Sequence, residues 1–410
     1  MPAVVFYFHV HQPYRIKPYS LFSINDDHQY YNESNNDRLN NQKILHKVAQ
    51  KCYLPMNNLL LKLLNQYDQF KVSFSISGIL LDQLENYYPA LIDSFKALVN
   101  TGKVELVNET YYHSLSYLYS TQEFKKQISL HRQKLKDLFG YTPTSFRNTE
   151  LIYNNDLASI IESLGYKTIL AEGVDRYLGW RSPNFVYRPN NTKKIRLLLK
   201  NYRLSDDIAF RFSNRGWPEW PLTAEKYAHW ITSANGMGHI VNLFMDYETF
   251  GEHQWSDTGI FDFMERLPFE ILKNSDNTFM TISQASSSYP VSDTIDMPEI
   301  TSWADMERDI SAWRSNPMQH AALQSVYDLE SEVIDSHDDN LINDWRKLTT
   351  SDHFYYMCTK WFTDGDVHKY FSPNNTPYEA FVNYMNVLHD IRARAMLKNT
   401  KDTAHAHLYS

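Results

Sequence analysis

The sequence predicts an α/β protein built on parallel strands and followed by a helical region. Three observations carry this expectation. Apolar, β-rich runs alternate with helical patterns about seven times between residues 1 and 285. Several of those runs stop abruptly in acids, histidines and aromatics, as buried parallel strands do when they deliver functional groups at their C-terminal ends. After Ser286 the pattern turns helical, punctuated by Pro298, Pro317, Pro373 and Pro377. Periodicity alone is compatible with a closed barrel or an open sheet, and acids arriving from many separate strand ends favour closure. The expected division is a barrel domain over 1–285 and a C-terminal helical domain over 286–410.

Taken in order, Ala3 to Val10 (AVVFYFHV) reads as a first buried strand that delivers His9, His11 and Gln12 before Pro13. Tyr14 to Asn41 is polar, asparagine-rich and aperiodic, which predicts a long irregular loop. Helix is expected over Gln42–Tyr67, broken or kinked at Pro55. A strand follows over Phe70–Ile76, then helix over Ile79–Tyr88. Val104–Val107 is a short strand ending in Asn108, Glu109 and the Tyr111, Tyr112, His113 group, and helix Glu123–Phe139 comes next. Thr144–Arg147 is a strand that delivers Asn148 and Glu150. Helix Asn155–Leu164 is closed by Gly165. Strand Thr168–Ala171 ends in Glu172. Lys194–Lys200 gives a strand, and Leu204–Phe212 a polar loop with Asp206 and Asp207. Helix Ala224–Ser233 precedes the strand opening at Asn242, whose run Leu243, Phe244, Met245 ends in Asp246, Glu248, Glu252 and His253. Helix Gly259–Lys273 and strand Phe279–Ile282 complete the alternation. Beyond it, Trp303–Trp313, Met318–Ser336, Leu341–Lys360 and Pro377–Lys398 read as helices.

Composition narrows the function classes. Among 410 residues, 43% are hydrophobic and 21% charged, which describes a folded globular chain and not a disordered one. The net charge of −8, with no concentrated basic stripe, argues against a nucleic-acid partner. No apolar stretch reaches membrane-spanning length, and the run from Val4 to Phe8 is too short for a signal-peptide core. Two cysteines, Cys52 and Cys358, provide no disulfide framework and fit a reducing compartment. A cytoplasmic protein is expected, and no oligomeric state is assigned. Aromatics make up 15% of the chain; flat rings stack on sugars, and they also make good core.

Glu150 and Asp246 each stand at the end of a strand, about a hundred residues apart. Two carboxylates converging on one cleft suit glycosidic cleavage, one as nucleophile or base and the other protonating the leaving oxygen. A structural ion-pair network would use the same residues. His9 and His11 alternate, so both point the same way from one strand. They could begin a metal site of the kind a carbohydrate deacetylase uses, or grip a substrate by hydrogen bonds. No third ligand has diagnostic spacing, so no metal or cofactor is expected.

The phrases FHVHQPYR (8–15), GKVELVNETYYHSL (102–115), FRNTELIYNNDLA (146–158), MDYETFGEHQW (245–255) and SDHFYYM (351–357) resemble the five sequence regions of glycoside hydrolase family 57. LGWRSPNFVYRP (178–189), LSDDIAFRFS (204–213) and ITSWADMERDISAW (300–313) resemble its α-amylase branch. The resemblance implies an incomplete (β/α)7 barrel followed by a C-terminal helical bundle that completes the cleft. It implies retaining cleavage of α-1,4-glucans or maltooligosaccharides through a covalent glycosyl-Glu intermediate. Position by position it places the nucleophile on Glu150, the general acid/base on Asp246, and a sugar-binding histidine on His11. His9, Glu105, His113, Glu248, His253, Asp352 and His353 fall in the matched regions as substrate-binding candidates. Trp180, Trp255 and Trp303 are candidate stacking platforms or ordinary core. A 4-α-glucanotransferase and a weakly active glucan-binding homologue are the alternatives. For Asp246 to act first as an acid, its pKa should be raised, and crowding by Glu150 and Glu248 is the expected cause.

Overall fold

A computed structural model describes residues 2–32, 34–360 and 372–408. The chain forms two compact units, one from residues 1–11, 45–110 and 128–303, the other from 12–44, 111–127 and 304–410. The first unit has an α/β fold with two five-stranded sheets. Its strands are β1 (Ala3–Val10), β2 (Val72–Ile76), β3 (Val104–Leu106), β4 (Ser145–Arg147), β5 (Thr168–Glu172), β6 (Val186–Pro189), β7 (Arg196–Lys200), β8 (Ile240–Asp246), β9 (Thr278–Phe279) and β10 (Val291–Ile295). One sheet runs β3-β2-β1-β8, with β9 also on β1; the other runs β10-β6-β7-β5-β4. Among the described residues, β6 with β7 is the antiparallel pair and the other strand pairs are parallel. A parallel bridge between Asn108 and Phe146 joins the chain beyond β3 to β4. Just past β7, Asn201 N donates to Asn242 O of β8 at 2.9 Å. The C-terminal ends of β1, β2, β3, β4, β5, β7 and β8 therefore point the same way.

Strand alternation explains why those ends are chemical. Ala3, Val5 and Tyr7 of β1 share one buried core with Val107, Leu170 of β5, Leu198 of β7 and Phe244 of β8. A side chain two residues on returns to the same face. The next residues on that face are His9, Glu109, Glu172, Lys200 and Asp246. An apolar layer thus lies beneath an ionisable one. The opposite face of β1 packs outward: Phe6 stacks on Phe8 and Phe279, and Phe8 meets Phe74, Tyr247 and Phe250. With both faces covered, β1 is wholly buried, as its unbroken apolar run requires.

Several elements differ from the sequence expectation. The stretch 204–212, expected as a polar loop, falls mostly in helix Tyr202–Asp206 and the wider turn over Asp207–Arg211 that continues it, with Asn201 capping Leu204 N. The expected helix from Trp303 to Trp313 is irregular, because Asp305 and Arg308 take φ of 53° and 54°, outside the right-handed region. Helix Pro89–Asn100 and strands β6 and β10 had no expected counterpart.

The second unit is largely helical: Pro317–Asp328, Glu330–Asp335, Asp339–Leu348, Ser351–Tyr355 and Pro377–Leu408. The irregular loop over 12–40, which leads into helix Asn41–Val48, is fastened inside it. Asn383 accepts from Tyr19 N at 3.1 Å, Asn386 donates to Tyr19 O at 2.9 Å, and the fully buried Asp390 accepts from Asn25 N at 2.6 Å and from Tyr30 Oη. A long loop of polar residues holds one conformation here because its backbone groups find side-chain partners. Cys52 and Cys358 are both buried. No helix of the described residues is long and apolar enough to cross a membrane.

Gly251, in the loop after β8, has φ of 107°, and a Cβ there would lie 2.0 Å from the Lys51 carbonyl oxygen. Gly251→Ala is expected to lower stability by about 2–4 kcal/mol, from backbone strain plus overpacking. Denaturant unfolding checks this, and an unchanged midpoint would show that the loop relaxes freely.

Candidate active site

Register sets the first contact. His9 of β1 pairs directly with Asp246, the last residue of β8, and with Ser75 of β2. His9 Nδ1 lies 3.3 Å from Asp246 Oδ1. Its Nε2 lies 3.4 Å from Glu109 Oε2 and 3.3 Å from Arg147 Nη1. Arg147 and Glu109 are fully buried and 3.7 Å apart, so each charge has an opposite neighbour where water is excluded. Glu109 is steadied by His131, whose Nδ1 accepts from its backbone N–H at 3.1 Å.

Glu150 arrives on a different kind of support. β4 ends at Arg147, Asn148 is extended, and the chain then turns tightly with Glu150 and Leu151 at φ of 57° and 50°. Non-glycine residues with positive φ are uncommon, and two in succession store strain that neighbours must hold. They do. Tyr153 pairs with Thr301, Trp303 N donates to Glu150 O at 3.2 Å, and Trp303 Nε1 donates to Glu150 Oε2 at 2.8 Å. The Arg147 guanidinium lies 5.0 Å from the Trp303 ring centroid, and the His9 ring lies 6.3 Å from it. A continuous set of contacts therefore runs from Asp246 through His9, Arg147 and Trp303 to Glu150.

Two further carboxylates flank this set. Glu248 accepts from His11 N at 3.1 Å and from Tyr53 Oη, and His11 Nδ1 lies 2.7 Å from Ser77 Oγ. Burial, then the negative charge of Asp246, push Glu248 up to about 8. Asp246 behaves in the opposite way to expectation. Burial pushes it up, but the His9 hydrogen bond and the electrostatic pull of His9, His253 and Arg147 outweigh that and hold it below the usual carboxylate range. The raised group is Glu248, because it sits deeper and has neutral donors where Asp246 has cationic ones. Burial lowers His253, whose backbone N–H donates to Glu248 O at 2.9 Å.

Glu150, Asp246, His9, His11, Glu248, His253 and Trp303 thus gather at one end of the first unit's strands. Glu105 does not join them. It lies two residues before Val107 on the core-facing side, 2% exposed, accepting from Ser145 Oγ at 2.6 Å and from Ser283 N and Oγ at 2.7 and 2.8 Å. Trp180 and Trp255 are 92% and 58% exposed. His113, Asp352 and His353 belong to the second unit: Ser351 N donates to His113 O at 2.9 Å, Asp352 is half-buried, and the buried His353 places Nε2 3.2 Å from Lys347 O. Arg147 and Lys200 were missed by sequence reasoning. Each is the cation that closes its strand, and that was the available signal.

Residues 5–298 match the sequence model of Glycosyl hydrolase family 57. A protein of Methanocaldococcus jannaschii named "Putative alpha-amylase" is 43% identical over 398 residues, spanning 94% of this chain and 83% of that one. A branching enzyme of Pyrococcus horikoshii shares the fold at a TM-score of 0.67 and 14% identity, over 90% of this chain and 87% of its own. A 4-alpha-glucanotransferase from Thermococcus litoralis does so at 0.58 and 17%, over 90% of this chain and 54% of its own.

The Glu248 shift has a consequence for stability. Its folded pKa of about 8 exceeds its ordinary value near 4.5, so between those values the folded chain binds more protons than the unfolded one. This group's contribution to stability falls as pH rises through that window and levels off above it. Glu248→Gln removes the ionisation, so the stability difference, variant minus wild type, should grow from pH 5 to pH 8. Denaturant unfolding of both proteins at several pH values measures it, and a flat difference would mean Glu248 titrates normally.

Proposed function

The chain belongs to glycosyl hydrolase family 57, and from that premise we propose that it cleaves α-1,4-glucosidic bonds of glucans or maltooligosaccharides with retention of configuration. The observation that carries the reading is the contact set that joins Glu150 to Asp246 at the ends of parallel β4 and β8. In this reading the seven parallel strand ends form an incomplete barrel, supported by the Asn108–Phe146 bridge and the Asn201–Asn242 hydrogen bond. The 43% identical relative's name supports hydrolysis of an α-glucan as the principal reaction.

Glu150 is assigned as nucleophile. Its carboxylate attacks the anomeric carbon and forms a glycosyl ester as the bond to the leaving oxygen breaks. Asp246 is assigned as acid and then base. Its lowered pKa belongs to the free site, where the neighbouring cations keep it ionised. Near neutral pH, Asp246 and Glu248 together hold a proton, mostly on Glu248, and Asp246 draws on that store when a sugar displaces water and raises its pKa. In the second step water gives its proton to Asp246 and attacks the ester, releasing Glu150. His9 orients Asp246, and His11 hydrogen-bonds the sugar.

Glu150→Gln is expected to cut turnover of maltooligosaccharides by about 10³-fold or more. Product analysis should show new reducing ends with the wild type; redistribution of chain lengths without them would establish transfer instead of hydrolysis. Asp246→Ala should retain activity on substrates with activated leaving groups, and added azide should give the α-glycosyl azide, by two inversions. Glu150→Ala with azide should give the β-azide, by one. Exchange of these two products would exchange the two roles.

A further inference from the structure

We infer that Trp303 is a positioning residue for Glu150 and not a sugar-stacking platform; the inference rests on reading Glu150 as the nucleophile. One residue grips the glutamate twice, through its indole N–H to Oε2 at 2.8 Å and its backbone N–H to the carbonyl at 3.2 Å. The first bond fixes the carboxylate plane, so its second oxygen has a set direction. It also favours the ionised form, since the donor bonds the charged state. The second bond secures a glutamate whose backbone sits at φ of 57°. Orientation and ionisation are what a carboxylate nucleophile needs.

A stacking platform needs an open ring face. Trp303 is partly buried against the core beneath it. The Arg147 guanidinium lies 5.0 Å and the Lys200 ammonium 5.5 Å from its ring centroid, and His9 approaches edge-on with an interplanar angle of 69°. Both cations are themselves anchored, Arg147 by Glu109 at 3.7 Å and Lys200 by Glu172 at 3.5 Å and Asp206 at 2.9 Å. Cations held over an aromatic face attract its π electrons and restrain the ring. The buried charges at the ends of β5 and β7 thus gain a role: they hold the indole that holds the nucleophile. Trp180 and Trp255, with most of their surface open, suit stacking better.

The test uses Trp303→Phe and, at the same position, benzothienylalanine, which keeps the bicyclic shape and replaces N–H by sulfur. Both are assayed on a 4-nitrophenyl maltooligosaccharide across pH. The expected result is a fall in kcat of about 10- to 100-fold, as for loss of one hydrogen bond to a charged group, with KM within about twofold. The acid limb of kcat/KM should move to higher pH, because Glu150 loses a donor to its ionised form. A raised KM with kcat and acid limb unchanged in the benzothienyl protein would make Trp303 a platform and overturn the inference, as would no change at all. If the phenylalanine variant fails to fold, the benzothienyl protein, with its packing kept, decides alone. Glu150→Ala separates the two levels: full activity in that variant defeats the reading of Glu150 itself, whereas its loss beside an unaffected benzothienyl protein defeats only the role of Trp303.

Discussion

Charges removed from water must be paired, and in the first unit this requirement organises everything above the apolar core. His9 stands between Asp246 on one side and Glu109 with Arg147 on the other. An unpaired Arg147 or Glu109, both fully buried, would cost several kcal/mol. The pairing works only when β1, β4, β8 and the chain beyond β3 end at one level, so strand register and site chemistry are one constraint. The apolar layer beneath helps offset the residual cost of desolvation, at about 1.5–3 kcal/mol for each large side chain fully buried.

The same network divides labour among the acids. Asp246 has cationic neighbours and stays ionised; Glu248 has a phenol and a peptide N–H and holds its proton. Two carboxylates in one site with pKa values pushed apart is the usual arrangement for proton transfer near neutral pH. Glu150 has a third environment, a strained turn with an indole donor. The tight turn carries Glu150 at positive φ, and the 301–303 strap keeps that turn from relaxing.

The second unit solves a different problem by the same rule. Among the described residues of its loop over 12–40, the short turn at Leu21–Ser23 is the regular element, yet side chains of helix Pro377–Leu408 bind its backbone at Tyr19 and Asn25. Arg346 forms a two-pronged pair with the buried Glu123, at 2.8 and 3.0 Å, and Trp345 donates to Val326 O at 2.8 Å. Specific polar anchors, more than extra apolar area, keep these residues in one arrangement.

By itself the sequence determined the parallel α/β class and most strand positions, β6 and β10 excepted, because buried parallel strands read as apolar runs with abrupt ends. Ala3–Val10 is the clearest case, predicted and observed over the same residues. Motif resemblance supplied the roles proposed for Glu150 and Asp246, which spacing alone left open between catalysis and salt bridging. Only the tertiary structure decided the partners. That His9 faces Asp246, that Arg147 and Lys200 lie over Trp303, and that Glu105 is spent on Ser145 and Ser283 all depend on register and on contacts between residues far apart in the chain. The direction of the Asp246 shift belongs there too. Crowding by acids is visible in the sequence, but burial is what raises Asp246, and the groups that outweigh it come from β1, β4 and the loop after β8; Coulomb energy depends on distance in space, not along the chain.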